Sequence, residues 1–173
     1  EIGETSPAFQ VKLLRVLQEG EFRPLGGSKP VAVDVRIIAA TNRDLAVEVK
    51  AGRFREDLYY RLATVPLRLP ALRERSMDIP LLARAILAKD GAALGRVVRG
   101  FGPGVLESLA AYAWPGNVRE LQNEIRRMLV LSDGEVLGAE ALAPQVRQAG
   151  LGAVLAAESG PGLRGQVDAL EAK

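Results

Sequence analysis

Cysteine and histidine are both missing from the 173 residues. Their absence excludes disulfide frameworks, thiol catalysis, Cys/His zinc sites, His-based triads and histidine general bases. Chemistry is left to carboxylates, Lys/Arg, Ser/Thr, Tyr, Asn/Gln, backbone amides or a metal held by oxygen. No apolar run approaches the roughly 20 residues that span a bilayer, and the acidic opening Glu1-Ile2-Gly3-Glu4 is no secretory leader. Without Met, that opening leads us to expect a piece of a longer chain. An excess of one charge is lacking too: 23 Lys+Arg face 21 Asp+Glu, a formal net of +2. Basic and acidic residues are interspersed rather than massed in a stripe, which argues against direct DNA binding by these residues.

What is present is the profile of a globular protein: 48% hydrophobic residues, mostly aliphatic, and 25% charged. Ser6-Pro7 reads as N-cap and first helical residue, and Gly20 as a C-terminal stop. Phe9, Leu13, Leu14 and Leu17 recur between them at helical spacing, predicting an amphipathic helix over 7–19. Residues 21–35 read as a hairpin, with Phe22 and Leu25 on one arm, Gly26-Gly27-Ser28 as the turn, and Val31, Val33 and Val35 alternating beyond it. The continuously apolar Ile37-Ile38-Ala39-Ala40 predicts a strand buried on both faces of a parallel sheet, delivering Thr41, Asn42 and Arg43 to the edge where open α/β folds bind ligands. Asp44 caps a short helix ending near Gly52, a second helix holds Phe54, Leu58 and Leu62, and 64–69 is a further strand candidate.

Pro70, Pro80 and Arg73-Glu74-Arg75 mark a composition break. Helices follow at 79–89 and about 105–112. After the sharp turn Trp114-Pro115-Gly116, Asn117 and Glu120 fit a capping box opening a helix that runs to about Leu131. From about Ala149 the Gly/Ala-rich composition reads as a flexible linker, with a further helix beginning near Leu163. The expected organisation is an α/β piece over 1–76, an all-helical domain over 77–147 and a linker over 148–173.

Candidates for chemistry are few. Asn42, a neutral amide at a strand end, can orient a water or contact a phosphate, or serve simply as a turn residue. Arg55 and Arg61 can supply guanidinium donors to a phosphate. Six residues apart on a helix they diverge by about 120°, so they form no single clamp, and taken alone they read more simply as a solvated face paired with Glu56 and Asp57. Arg119, in the first turn of a helix where anions are favoured, is either an anion contact or half of a surface ion pair. No Gly-x-x-x-x-Gly-Lys-Ser/Thr phosphate loop occurs: Gly26-Gly27-Ser28-Lys29 lacks its spacing and hydroxyl.

Taken jointly these pieces are far more specific. The order Glu-Ile-Gly-Glu, Gln-Val-Lys-Leu-Leu-Arg-Val-Leu-Gln-Glu-Gly-Glu-Phe, Asp-Val-Arg-Ile-Ile-Ala-Ala-Thr-Asn-Arg-Asp-Leu, Gly-Arg-Phe-Arg-Glu-Asp-Leu-Tyr-Tyr-Arg-Leu and Trp-Pro-Gly-Asn-Val-Arg-Glu-Leu-Gln-Asn resembles the central AAA+ domain of sigma-54-dependent transcriptional activators. The resemblance covers roughly 1–147 and corresponds to the C-terminal portion of that domain. It implies a partial P-loop-NTPase-like parallel sheet followed by a helical lid. It also implies a cytoplasmic ATPase, using ATP and Mg2+, that assembles as a hexameric ring and remodels sigma-54 RNA polymerase holoenzyme.

Position by position, Glu1 matches the Walker B acid that activates water, and Asn42 matches sensor I. Arg55 and Arg61 match the arginine fingers that reach a neighbouring subunit's ATP. Arg119 matches sensor II, so that Asn42 and Arg119 are the ATP contacts. In the family the Walker A loop, the Walker B Asp and the sigma-54-contacting loop lie upstream of Glu1, and a helix-turn-helix domain that binds enhancer DNA lies downstream. The expectation is that these 173 residues alone do not hydrolyse ATP while their parent does. Two rivals are a non-catalytic interaction module that kept the fold and a DNA-binding helical protein built around 105–147.

Overall fold

The computed structural model describes residues 1–24, 26–27 and 29–158. Leu25 and Ser28 of the expected hairpin, and the helix expected from Leu163, lie outside the described residues. The chain divides into two compact units, Glu1–Arg68 and Leu69–Lys173.

The first unit begins with a 3-10 turn, Ile2–Glu4, and helix α1, Pro7–Glu19. Both ends of α1 follow from local chemistry. Ser6 Oγ accepts from the Phe9 N–H, Pro7 presets the first turn, and Gly20 adopts the left-handed conformation (φ +65°) that releases the chain. Strands β1, Glu21–Phe22, and β2, Val31–Ala32, then pair antiparallel, with Phe22 opposite Val31. Helix α2, Leu45–Lys50, is capped by Asp44, whose Oδ1 accepts from the Ala46 and Val47 N–H groups. Helix α3, Glu56–Leu62, buries Leu58 against Leu14 of α1 and Phe54.

Two expectations for this unit fail. Residues 37–40 form no strand, and Ile38 is 87% exposed. A strand buried on both faces needs hydrogen-bonded neighbours at its edges and a layer over each face. Among the described residues this segment finds one backbone partner, the Ile2 N–H, which donates to the Ala40 carbonyl. Residues 64–69 likewise form no strand, leaving Val65, Leu67 and Leu69 exposed.

The second unit is a helical cluster around one core. A 3-10 segment, Leu72–Asp78, leads into α4, Ile79–Ala93; α5, Val105–Ala111, α6, Asn117–Leu131, and α7, Pro144–Glu158, follow. Two short strands, β3, Gly100–Phe101, and β4, Val136–Leu137, pair in parallel and tie the loop before α5 to the loop after α6. Ile79, Ala83, Leu109, Leu121, Ile125 and Met128 are fully buried together. Buried Asp90 of α4 accepts hydrogen bonds from Arg126 and Gln122 of α6, joining the two helices by charge as well as by packing.

The linker expected from Ala149 is instead helical through Glu158. Its glycine has a packing role. A Cβ on Gly150 would lie 2.8 Å from the Ser108 Cα, so α7 approaches the backbone of α5 as only glycine allows. Among the described residues no helix is long and apolar enough to cross a membrane.

Candidate nucleotide-interaction site

Glu1 and Asn42, far apart in sequence, belong to segments that meet. The Ile2 N–H bonds to the Ala40 carbonyl at 3.0 Å, and a Cβ on Gly3 would lie 2.6 Å from the Thr41 Oγ1. The turn bearing Glu1 therefore lies directly against the loop bearing Asn42. Both side chains are exposed and have no hydrogen-bond partner among the described residues. A free carboxylate and a free amide at one edge are the groups that orient a water.

A line of charge leads away from this edge. Arg43 contacts Glu4 at 3.2 Å and Glu48 at 3.7 Å, and Glu48 receives two 2.7 Å bonds from Arg53. The bond from Arg53, opposed by desolvation, holds the Glu48 carboxyl below its ordinary value, and Glu48 in turn raises the Arg53 guanidinium.

Arg55 and Arg61 stand at opposite ends of α3. Arg55 is its N-cap residue, with an exposed guanidinium that donates to both Asp57 oxygens at 3.0 and 2.7 Å. That pairing raises the Arg55 pKa and lowers that of Asp57. Arg61, in the last turn, donates to the Leu17 carbonyl of α1 at 2.9 Å. The two arginines have different partners, and because Arg55 precedes α3 in extended backbone, the helical spacing that predicted their divergence does not apply to it.

Arg119 lies in the first turn of α6, in the other unit, exposed and without a hydrogen-bond partner among the described residues. The expected capping box is only half formed. Glu120 reaches back to the Gly116 N–H at 2.7 Å, but Asn117 accepts from the Leu72 N–H at 2.8 Å instead of capping its own helix. Trp114 and Asn117 both have positive φ, 50° and 52°, so the chain enters α6 through a strained bend. Its anchor is Trp114, which is buried, donates to the Leu109 carbonyl at 2.7 Å and lies edge-on to Tyr112.

Gln10 went unnoticed in the sequence. It shares a stripe with Leu13, Leu14 and Leu17 (i, i+3, i+4, i+7) and is 1% exposed, whereas Phe9, expected on the apolar face, is half exposed. A lone polar residue on such a stripe is the signal that marks it.

No cluster of three or more Asp or Glu side chains among the described residues could hold a metal ion.

The sigma-54 interaction domain family matches residues 1–68, and the AAA+ ATPase lid domain family matches residues 73–157. The chain belongs to the sigma-54 activator family. It is similar to the hydrogenase transcriptional regulatory protein HoxA of Bradyrhizobium diazoefficiens, 62% identical over 142 residues, which cover 82% of this chain and 29% of that protein. The Nif-specific regulatory protein of Rhizobium meliloti is 53% identical over 148 residues, 86% of this chain and 27% of the relative. Among solved structures, NtrX from Brucella abortus in complex with ADP superposes with a TM-score of 0.76 at 37% identity, covering 86% of this chain and 34% of that one. NtrX has also been solved with ATP, with a TM-score of 0.75 over 84% of this chain and 34% of that one. The chain thus spans about a third of its relatives' length or less. Its fold is the C-terminal portion of an AAA+ domain, a partial α/β piece followed by a helical lid.

Proposed function

We propose that these residues serve an ATP-dependent transcription activator that assembles as a ring, a hexamer, and remodels sigma-54 RNA polymerase holoenzyme. In this reading Glu1 activates the attacking water and Asn42 aligns it against the terminal phosphate. Arg55 and Arg61 stabilise charge on the ATP of a neighbouring copy, and Arg119 contacts nucleotide from the lid. The observation that carries the reading is the juxtaposition of the Glu1 turn with the Asn42 loop through the 3.0 Å Ile2–Ala40 bond, while α3 presents its arginines separately. A carboxylate and an amide at one edge with guanidinium groups elsewhere suit a site completed across copies. The ATP complex of NtrX supports the choice of nucleotide. Mg2+ belongs with that ATP in the longer protein, where the Asp partner of Glu1 helps to hold it. Enhancer DNA is bound by a different domain, and the protein acts in the cytoplasm.

The test is steady-state ATP hydrolysis by the full-length protein that contains this chain. Arg55→Ala should lower turnover by about 10³-fold with a small change in KM, the scale of a trans-acting arginine. Glu1→Gln should also be inactive. Mixing the two inactive proteins should restore part of the activity, because each supplies what the other lacks. Wild-type turnover in Arg55→Ala, or a mixture no better than its components, overturns the trans assignment. Arg119→Ala should weaken the nucleotide response while leaving the lid's thermal unfolding unchanged.

A further inference from the structure

We propose that Gln10 is a positioning residue for Arg55, holding the backbone from which that guanidinium projects. The inference rests on the arginine-finger reading above and deepens it. Gln10 is almost wholly buried within α1, and its amide is used at both ends. Nε2 donates to the Thr5 carbonyl at 3.0 Å and to the Arg53 carbonyl at 3.2 Å, while Oε1 accepts from the Arg55 N–H at 3.0 Å. One side chain therefore grips both sides of Phe54, which is itself buried, and pins the last residue before α3 begins.

The placement matters because α3 leaves this job open. Arg55 is the N-cap residue of a seven-residue helix, makes no side-chain cap bond, and its N–H has no other partner among the described residues. Among the described residues its guanidinium is tethered only to Asp57, so that ion pair fixes the side chain relative to α3 and not α3 relative to the rest of the unit. Gln10 supplies the missing reference. It refers Arg55 to α1 and, through Thr5, to the turn that carries Glu1.

The same amide closes a continuous path between the two halves of the proposed chemistry. From the Asn42 loop it runs through Arg43, Glu48 and Arg53 to Gln10 and then to Arg55. Displacing a reacting group by about 1 Å costs on the order of 10²-fold in rate, so a residue that fixes backbone at this point acts on turnover more than on binding.

The experiment uses the full-length protein and four variants: Gln10→Met, Gln10→Glu, Arg55→Ala and the Gln10→Met/Arg55→Ala double variant. Gln10→Met keeps volume and helix while removing all three hydrogen bonds. It should lower kcat for ATP roughly 10- to 100-fold with KM changed less than about threefold, and should speed hydrogen exchange at the Arg55 amide. In the Arg55→Ala background the same substitution should change kcat less than about twofold, because the group it positions is gone.

Gln10→Glu separates positioning from stability. It keeps the acceptor for the Arg55 N–H, so it should turn over faster than Gln10→Met. It also buries a carboxylate beside two carbonyls, so it should melt at a lower temperature. A kcat order that follows the melting temperatures overturns the inference, as does an undiminished Gln10→Met loss in the Arg55→Ala background. Those outcomes leave Arg55→Ala impaired and the finger reading standing. Unchanged turnover in Arg55→Ala removes that reading and this inference together.

Discussion

The two units of this chain solve the folding problem unequally. Residues after Leu69 gather sixteen buried apolar side chains into one cluster, whereas Glu1–Arg68 buries only Leu14, Phe54 and Leu58 among the described residues. The first unit leaves Phe9, Phe22, Val31, Ile38 and Val65 open to solvent, with Tyr60 beside the proposed fingers. The lid is built from helices that close their own hydrogen bonds and need only one shared core. The α/β piece depends on sheet neighbours and facing layers, which cannot be supplied from within a strand. Specificity and self-sufficiency are thus divided: the residues proposed to act on phosphate sit mostly on the less self-sufficient unit.

Separating the units is the most severe way to break this comparison. Residues 69–158 expressed alone should unfold in one cooperative thermal transition, and residues 1–68 alone should show none, as read by circular dichroism. A cooperative transition in 1–68 would show that three buried side chains suffice there. Within the lid, Trp114→Ala should cost about 3–5 kcal/mol by denaturant unfolding, since it empties the core and orphans the Leu109 carbonyl. Gly150→Ala should cost a smaller amount, roughly 1–3 kcal/mol, by driving α7 off α5. A neutral Gly150→Ala would mean that this helix contact contributes little.

The smallest effect concerns pH. Arg126, then Gln122, holds the Asp90 carboxyl below its ordinary value of 3.8. A carboxyl depressed in the folded state contributes stability that is complete above its unfolded pKa and lost as pH falls through the folded one. The lid should therefore lose stability as pH drops below about 4, and Asp90→Asn should flatten that slope. An unchanged slope in Asp90→Asn would assign the acid sensitivity elsewhere.

Where structure follows from neighbours in sequence, the sequence is legible. Helix α1 begins at Pro7 and ends before Gly20 because Ser6, Pro7 and Gly20 each act locally, and Asp44 starts α2 for the same reason. Segment 37–40 was misleading because an apolar run states a readiness to be buried, and among the described residues its one backbone partner is the Ile2 N–H. Gly150 misled in the opposite sense: glycine composition resembles a linker until a second helix is known to lie against it. The candidate residues Glu1, Asn42, Arg55, Arg61 and Arg119 came from motif order. The meeting of the Glu1 turn with the Asn42 loop, and the grip of Gln10 on Arg55, depend on contacts 38 and 45 residues apart in sequence and have no local signature.

The guanidinium of Arg55 is already engaged, since Asp57 takes two of its donors at the protein surface. Any oxyanion arriving from outside replaces one anionic partner with another, and its net gain is the difference between two similar attachments. Solvent-exposed pairs of this kind are held weakly, so exchange is easy in either direction. Such a group suits repeated cycles of capture and release better than permanent retention of its guest.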